Sequence, residues 1–347
     1  MVNLKNMTLR ELRNFLKENG FPPFRANQIY RWIYQKLEND PEKFTDLPLS
    51  LRKEVKNRFI IPSLKPLYIQ RSKLDGTVKY LLQLPDREII ESVIIPDRER
   101  RTLCVSSQAG CRMGCKFCYT GKGGWRRNLE PWEIVEQVVV AVKFLKRENL
   151  RLTNIVFMGM GEPLDNYENV VKAIKIITEE EGLSISPRRI SVSTVGIVPL
   201  IKKLIEETGV NLSVSLNAAD NDTRSLIMPV NKKYPIESLL QTLKEVEIPR
   251  RKRIVIEYVL LKNVNDREKD IENLKKLLRD IPVKINLIPF NPFPGAEFER
   301  PDDRAVLEFQ RKLIDSGFSV FIRVSKGGDI LAACGQLRGA VLNEFPD

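Results

Sequence analysis

The 347-residue sequence contains no histidine. That absence excludes Ser-His-Asp and Cys-His nucleophilic sites, HExxH zinc sites and histidine-ligated haem. Chemistry has to come from cysteine, carboxylates, lysine, tyrosine or a cofactor. Long apolar runs are missing too, and none approaches the ~18 residues of a membrane-crossing helix. The opening stretch MVNLKNMTLRELRNFLKENG lacks the unbroken apolar run of a secretory signal and reads as an amphipathic helix. The five cysteines are an odd count, which argues against a disulfide framework and for a reducing, cytoplasmic setting. What is abundant is positive charge: 57 Lys+Arg against 45 Asp+Glu, a net +12. Such an excess favours a polyanionic partner, nucleic acid ahead of a membrane surface. With 42% hydrophobic and 29% charged residues, the chain can bury a core without staples, as two domains or one large barrel with an appendage.

Periodicity supplies the organisation. Thr8-Leu9-Arg10-Glu11 has the form of a capping box, and Leu9, Leu12, Phe15 and Leu16 make the apolar face of a first helix. Gly20, Pro22 and Pro23 end it. Further helices are predicted over Phe24–Leu37 and Leu51–Phe59, so residues 1–60 read as a small basic helical domain suited to RNA. Residues 61–96 read as a β-hairpin and linker, turning at Asp75-Gly76. Thereafter strands are predicted at Thr102–Ser107, Asn154–Met158, Arg189–Thr194, Asn211–Leu216, Arg253–Leu260 and Val283–Phe290. Helical patterns at Glu133–Lys146, Asn169–Glu180, Val198–Glu207, Ile236–Val246 and Glu268–Leu278 separate them. This alternation implies an α/β fold with a parallel sheet. Unusual residues collect at strand C-terminal ends: Cys111, Gly161-Glu162, Ser193, Ser215, Asn217 and Asn291. Ends from five strands fit the mouth of a complete or partial (β/α) barrel, spanning 97–325, better than a sheet with one switch point.

The chemistry-bearing word is Cys111-Arg-Met-Gly-Cys115-Lys-Phe-Cys118, with CxxxCxxC spacing on a loop after a strand. Three thiolates so close can each bind one iron of a cluster and leave a fourth iron without a protein ligand. Gly110 and Gly114 permit the tight wrapping. Structural zinc is the competing reading; it wants four N/S ligands and, without histidine, would have to recruit Cys104, Cys334 or a carboxylate.

The triplet resembles the signature of the radical S-adenosylmethionine superfamily. The words TLCVSSQAGCRMGCKFCYTG, FMGMGEPLDNYENV, RRISVSTVGIVP, SVSLNA, INLIPFNPFPG and GGDILAACGQLRG are similar to the RNA adenine C2-methyltransferase family, RlmN, from Phe24 to Leu342. The resemblance implies an α/β partial barrel of the radical S-adenosylmethionine type with a small N-terminal helical domain. It implies one [4Fe-4S] cluster on Cys111, Cys115 and Cys118, whose open iron binds S-adenosylmethionine, two molecules being used per turnover. It implies methylation of carbon 2 of adenosine 2503 in 23S rRNA, and of adenosine 37 in tRNAs. Cys334, in the C-terminal segment 326–347, corresponds to the methyl carrier and Cys104 to the cysteine that resolves the protein–RNA crosslink, leaving a Cys104–Cys334 disulfide. Glu91, in the ESVIIP word, corresponds to the proton acceptor. Gly161, Glu162, Ser193, Ser215, Leu216, Asn217 and Asn291 align with cofactor contacts. Each also has a plain reading: Cys104 as a buried strand residue, Cys334 as a surface thiol in a mobile, glycine-flanked segment, Glu91 as a strand-end carboxylate, the Ser and Asn residues as turn formers. Ser215-Leu216-Asn217 departs from the family's usual Ser-Leu-His, and Tyr119 follows the third cysteine where small residues are frequent.

Candidate RNA contacts are Trp125-Arg126-Arg127-Asn128, Arg250-Arg251-Lys252-Arg253 and Arg98, Arg100 and Arg101. The resemblance further implies an external flavodoxin- or ferredoxin-type electron donor and a cytoplasmic monomer with no membrane partner. Two rival readings stand beside it: a Cfr-type enzyme methylating carbon 8 of the same adenosine, and a zinc-stabilised RNA-binding or ribosome-assembly protein without catalysis.

Overall fold

The computed structural model describes residues 1–249 and 252–339. The chain begins with a helical module. Helix α1 (Leu9–Glu18) starts on the expected capping box: Thr8 N donates to Glu11 Oε2 at 2.7 Å, and Glu11 N to Thr8 Oγ1 at 3.3 Å. The predicted second helix is α-helical only as α2 (Arg25–Tyr30), then widens into a π-helical turn at Arg31–Gln35. Helix α3 (Leu49–Arg58) follows. Two-residue strands at Val2–Asn3 and Phe59–Ile60 pair in parallel and draw the module's ends together. Leu9, Leu12, Leu16, Ile29, Tyr30, Ile33, Phe44, Leu51 and Val55 are buried as its core.

Apart from a two-stranded ribbon of Gln108–Gly110 and Trp125–Asn128 at the base of the cysteine loop, the rest is arranged on one ten-stranded sheet whose strands lie side by side in chain order. Strands β1 (Pro66–Arg71), β2 (Val78–Gln83), β3 (Ile89–Asp97) and β4 (Arg100–Cys104) run antiparallel. The stretch expected as hairpin and linker is thus continuous with the main sheet. From β4 onward all neighbours are parallel: β5 (Asn154–Phe157), β6 (Ile190–Thr194), β7 (Asn211–Ser215), β8 (Ile254–Leu260), β9 (Val283–Pro289) and β10 (Val320–Ile322). Helices α4 (Pro131–Arg147), α5 (Tyr167–Thr178), α6 (Val198–Thr208), α7 (Asn221–Ile227), α8 (Ile236–Glu245), α9 (Glu268–Leu278) and α10 (Asp303–Asp315) fill the crossovers.

All six predicted strands and five predicted barrel helices exist, with ends shifted by a few residues. The first strand stops at Cys104, not Ser107: Ser106 N donates to the Gln137 side chain at 2.8 Å, and Gln108–Gly110 pair instead with Trp125–Asn128 in a separate antiparallel ribbon. Helices α7 and α10 and strand β10 are additions. The first and last strands do not pair, so the barrel is partial. It nevertheless curls: Ile95 on β3, Cys104 on β4, Ile288 on β9 and Arg323 just past β10 wall one chamber. No helix among the described residues is long and apolar enough to cross a membrane.

Candidate active site

The loop carrying Cys111, Cys115 and Cys118 is held by backbone contacts that its glycines make possible. Gly110 has φ +75°, and a Cβ there would fall 2.0 Å from the Gly124 carbonyl oxygen. Cys111 N donates to that oxygen at 2.8 Å, Cys118 N to Cys115 O at 3.1 Å, and Lys116 N to Ile227 O at 3.0 Å. Cys115, 7% exposed, packs with Ile227, Met228, Phe290 and Phe293. All three cysteines line one cavity at the C-terminal ends of the parallel strands.

Burial pushes the Cys111 thiol up to about 12 and raises Cys115 and Cys118 as well, so a bound cation is needed to ionise them. Among the described residues no three His, Cys, Asp or Glu converge on a single ion. Three thiols lining one cavity are the soft sulfur donors that an iron–sulfur cluster takes, each able to bind one iron. The donor set fits.

The predicted cofactor contacts gather around the same cavity. Gly161, Glu162, Ser193, Ser215, Asn217 and Asn291 all line it. Gly161, at φ +99°, passes so close to Gln108 that a Cβ would lie 2.6 Å from the Gln108 Cβ. The Glu162 carboxylate accepts Leu164 N at 3.0 Å and Val195 N at 2.9 Å; burial still pushes it up to about 7. Asn217 sits in the left-handed region at φ 57°, where Asn is tolerated, and its Oδ1 accepts Val259 N at 2.8 Å. Leu216 differs: its side chain is in the core, and its carbonyl accepts Arg224 Nε at 3.0 Å.

Cys334 also lines this cavity, and it lines the adjoining chamber together with Cys104. Cys104 is 6% exposed, and burial, reinforced by the nearby Cys334, pushes its thiol up to about 12. The segment carrying Cys334 is strapped down. Gly327 N donates to Asp75 Oδ2 at 2.8 Å, Lys73 N to Asp329 Oδ2 at 3.2 Å, Asn291 Nδ2 to Cys334 O at 3.0 Å and Tyr119 N to Gly335 O at 2.7 Å. Glu91 lies beneath the strap, three residues into β3 rather than at a strand end, facing the backbone N–H groups of Arg338 and Gly339. It is buried, its Oε2 has no hydrogen-bond partner, and desolvation raises its pKa against the opposing pull of Lys79.

Three residues without a sequence signal complete the site. Arg323 is the cation lining the main cavity; it lies near Cys334, Cys104 and Glu257, with Nη1 3.9 Å from Glu257 Oε2. Glu257 is buried on β8, where desolvation raises its pKa. Arg224 is wholly buried, and its guanidinium donates to Leu216 O, Val195 O, Ser215 O, Tyr234 O and Asn231 Oδ1, near Cys115.

Residues 105–278 match the family model described as the radical SAM superfamily, and residues 2–61 match the ribosomal RNA large subunit methyltransferase N-terminal domain. The dual-specificity RNA methyltransferase RlmN of Nitratiruptor sp. is 49% identical, with 97% of this chain and 98% of the relative covered. This chain belongs to the RlmN family of dual-specificity RNA methyltransferases. The Geobacter sulfurreducens RlmN is 46% identical over 98% of this chain and 92% of its own. A radical SAM methyltransferase crystal structure from Sphaerobacter thermophilus superposes with a TM-score of 0.92 at 42% identity, covering 98% of this chain and 100% of that one. Membership of the radical S-adenosylmethionine superfamily brings a [4Fe-4S] cluster and S-adenosylmethionine to this RlmN-family chain.

The basic clusters divide. Arg127 is committed to Glu133, at 2.8 Å, and to Asp86, which removes it as a freely available phosphate contact. Trp125, partly exposed, is covered by the Arg112 guanidinium 3.9 Å from its ring centroid. Arg126 and Arg100 are exposed, whereas Arg101 turns back to the Arg98 and Arg100 carbonyls. Arg250 and Arg251 lie outside the described residues.

Proposed function

We propose that this RlmN-family enzyme methylates carbon 2 of an adenosine in 23S rRNA, adenosine 2503 in the family, and of adenosine 37 in tRNA. Cys334 is the methyl carrier, Cys104 the resolving cysteine and Glu91 the proton acceptor. The observation that carries the reading is Cys334 itself, which opens on both the cysteine-lined cavity and the chamber holding Cys104. Cys111, Cys115 and Cys118 would hold one cluster, and Gly161, Glu162, Ser193, Ser215, Leu216, Asn217 and Asn291 would surround two successive S-adenosylmethionine molecules. When bound, the reduced cluster and S-adenosylmethionine supply a methyl group and a hydrogen-abstracting radical.

The chain's own residues do the rest. Cys334 carries the carbon as a thioether until it is joined to the base. Glu91, poised as a base by burial, takes the proton from the base carbon as the odd-electron adduct gives up one electron, which the bound cluster would accept. The Cys104 sulfur then attacks the Cys334 sulfur; a disulfide forms, and the pair of electrons from the broken carbon–sulfur bond stays with the RNA, which takes up a proton. A high pKa keeps Cys104 protonated beforehand, with Arg323 at hand to stabilise the thiolate when it is needed. Residues 1–60 help grip RNA, residues 97–325 form the catalytic barrel, and 326–347 deliver the carrier. The enzyme works as a cytoplasmic monomer that draws electrons from a flavodoxin- or ferredoxin-type donor.

Anaerobically reconstituted enzyme should convert protein-free rRNA and tRNA to 2-methyladenosine by mass spectrometry. The Cys334→Ala variant should transfer no methyl group, and Cys104→Ala should accumulate crosslinked RNA. Detection of 8-methyladenosine instead would move the enzyme to the Cfr-type reaction.

A further inference from the structure

The cluster loop has two flanks. Its C-terminal end meets the strap: Tyr119 N bonds Gly335 O, and Thr120 Oγ1 bonds Leu337 O. Its middle meets a different surface, formed by the end of α7 and the turn after it. There Lys116 N bonds Ile227 O, and a Cβ on Gly114 would lie 3.7 Å from Pro229 Cγ. Arg112, Met113, Val230 and Lys233 wall one groove on this side. RNA must reach Cys334 and Glu91, on the strap flank. The second flank is one residue removed from a cluster ligand, since exposed Lys116 adjoins buried Cys115.

This second flank has the composition of a small docking site. Leu226 is 54% exposed, and Pro229 is exposed beside it. Lys116, Lys232 and Lys233 are exposed around them, and none forms an ion pair among the described residues, whereas Arg112 is neutralised by Asp165 at 2.9 Å. An aliphatic centre with a lysine rim fits the low-area, charge-steered interface of an electron-transfer complex. Single-stranded RNA would call for free exposed rings on which bases stack; the exposed centre here, Leu226 and Pro229, is aliphatic, and the nearby rings of Tyr234 and Trp125 lie under Lys233 and Arg112.

We propose that Lys116, Lys232 and Lys233, around Leu226 and Pro229, form the docking site of the acidic one-electron carrier protein that reduces the cluster. The proposal rests on the radical reading above. One electron passes from the reduced carrier across the loop to the cluster; the carrier is oxidised by one electron and the cluster is reduced by one.

The test uses the full-length holoenzyme, a recombinant flavodoxin in its hydroquinone form, and sodium dithionite as a small reductant that needs no docking. The quantity read is the ratio of the two rates of cluster reduction, followed by the cluster's visible absorbance. In Lys232→Glu/Lys233→Glu the ratio should fall by about tenfold or more, and in the neutral Lys232→Gln/Lys233→Gln by less, with a weaker salt dependence in both. The dithionite rate and the RNA affinity should match wild type. An unchanged ratio in both variants overturns the proposal, and so does a loss of RNA affinity with an unchanged ratio. The wild-type protein with dithionite tests the radical reading separately, through reductive cleavage of S-adenosylmethionine.

Discussion

Two segments outside the barrel are docked onto it by opposite means. The N-terminal module is fastened by a buried ion pair, Lys5 Nζ to Glu136 Oε1 on α4 at 2.5 Å, with both side chains at most 1% exposed. Glu136 Oε2 also accepts Leu64 N at 2.9 Å, and the module's apolar residues join the main core. The strap, residues 327–339, instead buries only small or single side chains, Ile330, Ala332, Ala333, Gln336 and Leu337, with Gly327. It is held by single hydrogen bonds and bends through positive φ at Gly327, Leu331, Gly335 and Gly339. A charged pair sealed in a core does not open without loss of the fold, whereas scattered hydrogen bonds can be exchanged for water at small net cost. The module is a permanent anchor and the strap a releasable one, as a methyl carrier over a substrate site requires.

The contrast can be broken at either end. Lys5→Met leaves the Glu136 carboxylate buried and unpaired, so urea unfolding should show a loss of ~3–5 kcal/mol. Lys5→Met with Glu136→Gln should recover much of it, because Gln still accepts the Leu64 N–H. Gly327→Ala strikes the strap: the new Cβ would meet Thr77 Cγ2 at 2.8 Å and Ala332 Cβ at 2.9 Å, at φ +67°. A local cost of ~1–3 kcal/mol is expected. Hydrogen exchange should show lost protection in residues 327–339 with the module unaffected.

Cys104 reports on the same strap through pH. Its raised pKa means that the thiolate is the minor form at every neutral pH and grows as pH rises toward about 12. In the reduced, cluster-free protein, iodoacetamide labelling of Cys104 should climb about tenfold per pH unit from 7 to 10, without a plateau. A plateau near pH 8 would contradict the burial. Gly327→Ala should raise that rate at each pH and leave the slope. Smallest, Thr8→Ala removes the α1 cap and should cost ~1 kcal/mol, again by urea unfolding.

Much of the site could be read from local words because local geometry demands them. CxxxCxxC with Gly110 and Gly114 marks a loop that must wrap, Gly161-Glu162 the C-terminal end of a strand, and Thr8 with Glu11 a helix start. Arg323, Glu257 and Arg224 carried no such mark. A lone arginine after a short strand, or a glutamate within an apolar one, looks like an ordinary surface or edge residue until the sheet curls. Glu91 was found only through family resemblance, and its placement in mid-strand beneath the strap depends on β3 being an integral strand of the sheet. Arg127 shows the reverse failure: in sequence it belongs to a basic cluster, but Glu133 and Asp86 claim it.

The sequence alone determined the parallel strand–helix alternation, the cysteine-bearing loop, the lack of any imidazole and the basic excess. All are set by periodicity, spacing or composition, which need no knowledge of distant contacts. Only the tertiary structure decided that Cys104 and Cys334, 230 positions apart in the chain, share a chamber, that an arginine stands between them and a buried glutamate, and that the strap lies over Glu91. Those relations arise from the curl of the sheet and the burial it imposes, and burial is a property of the whole fold rather than of any stretch of chain.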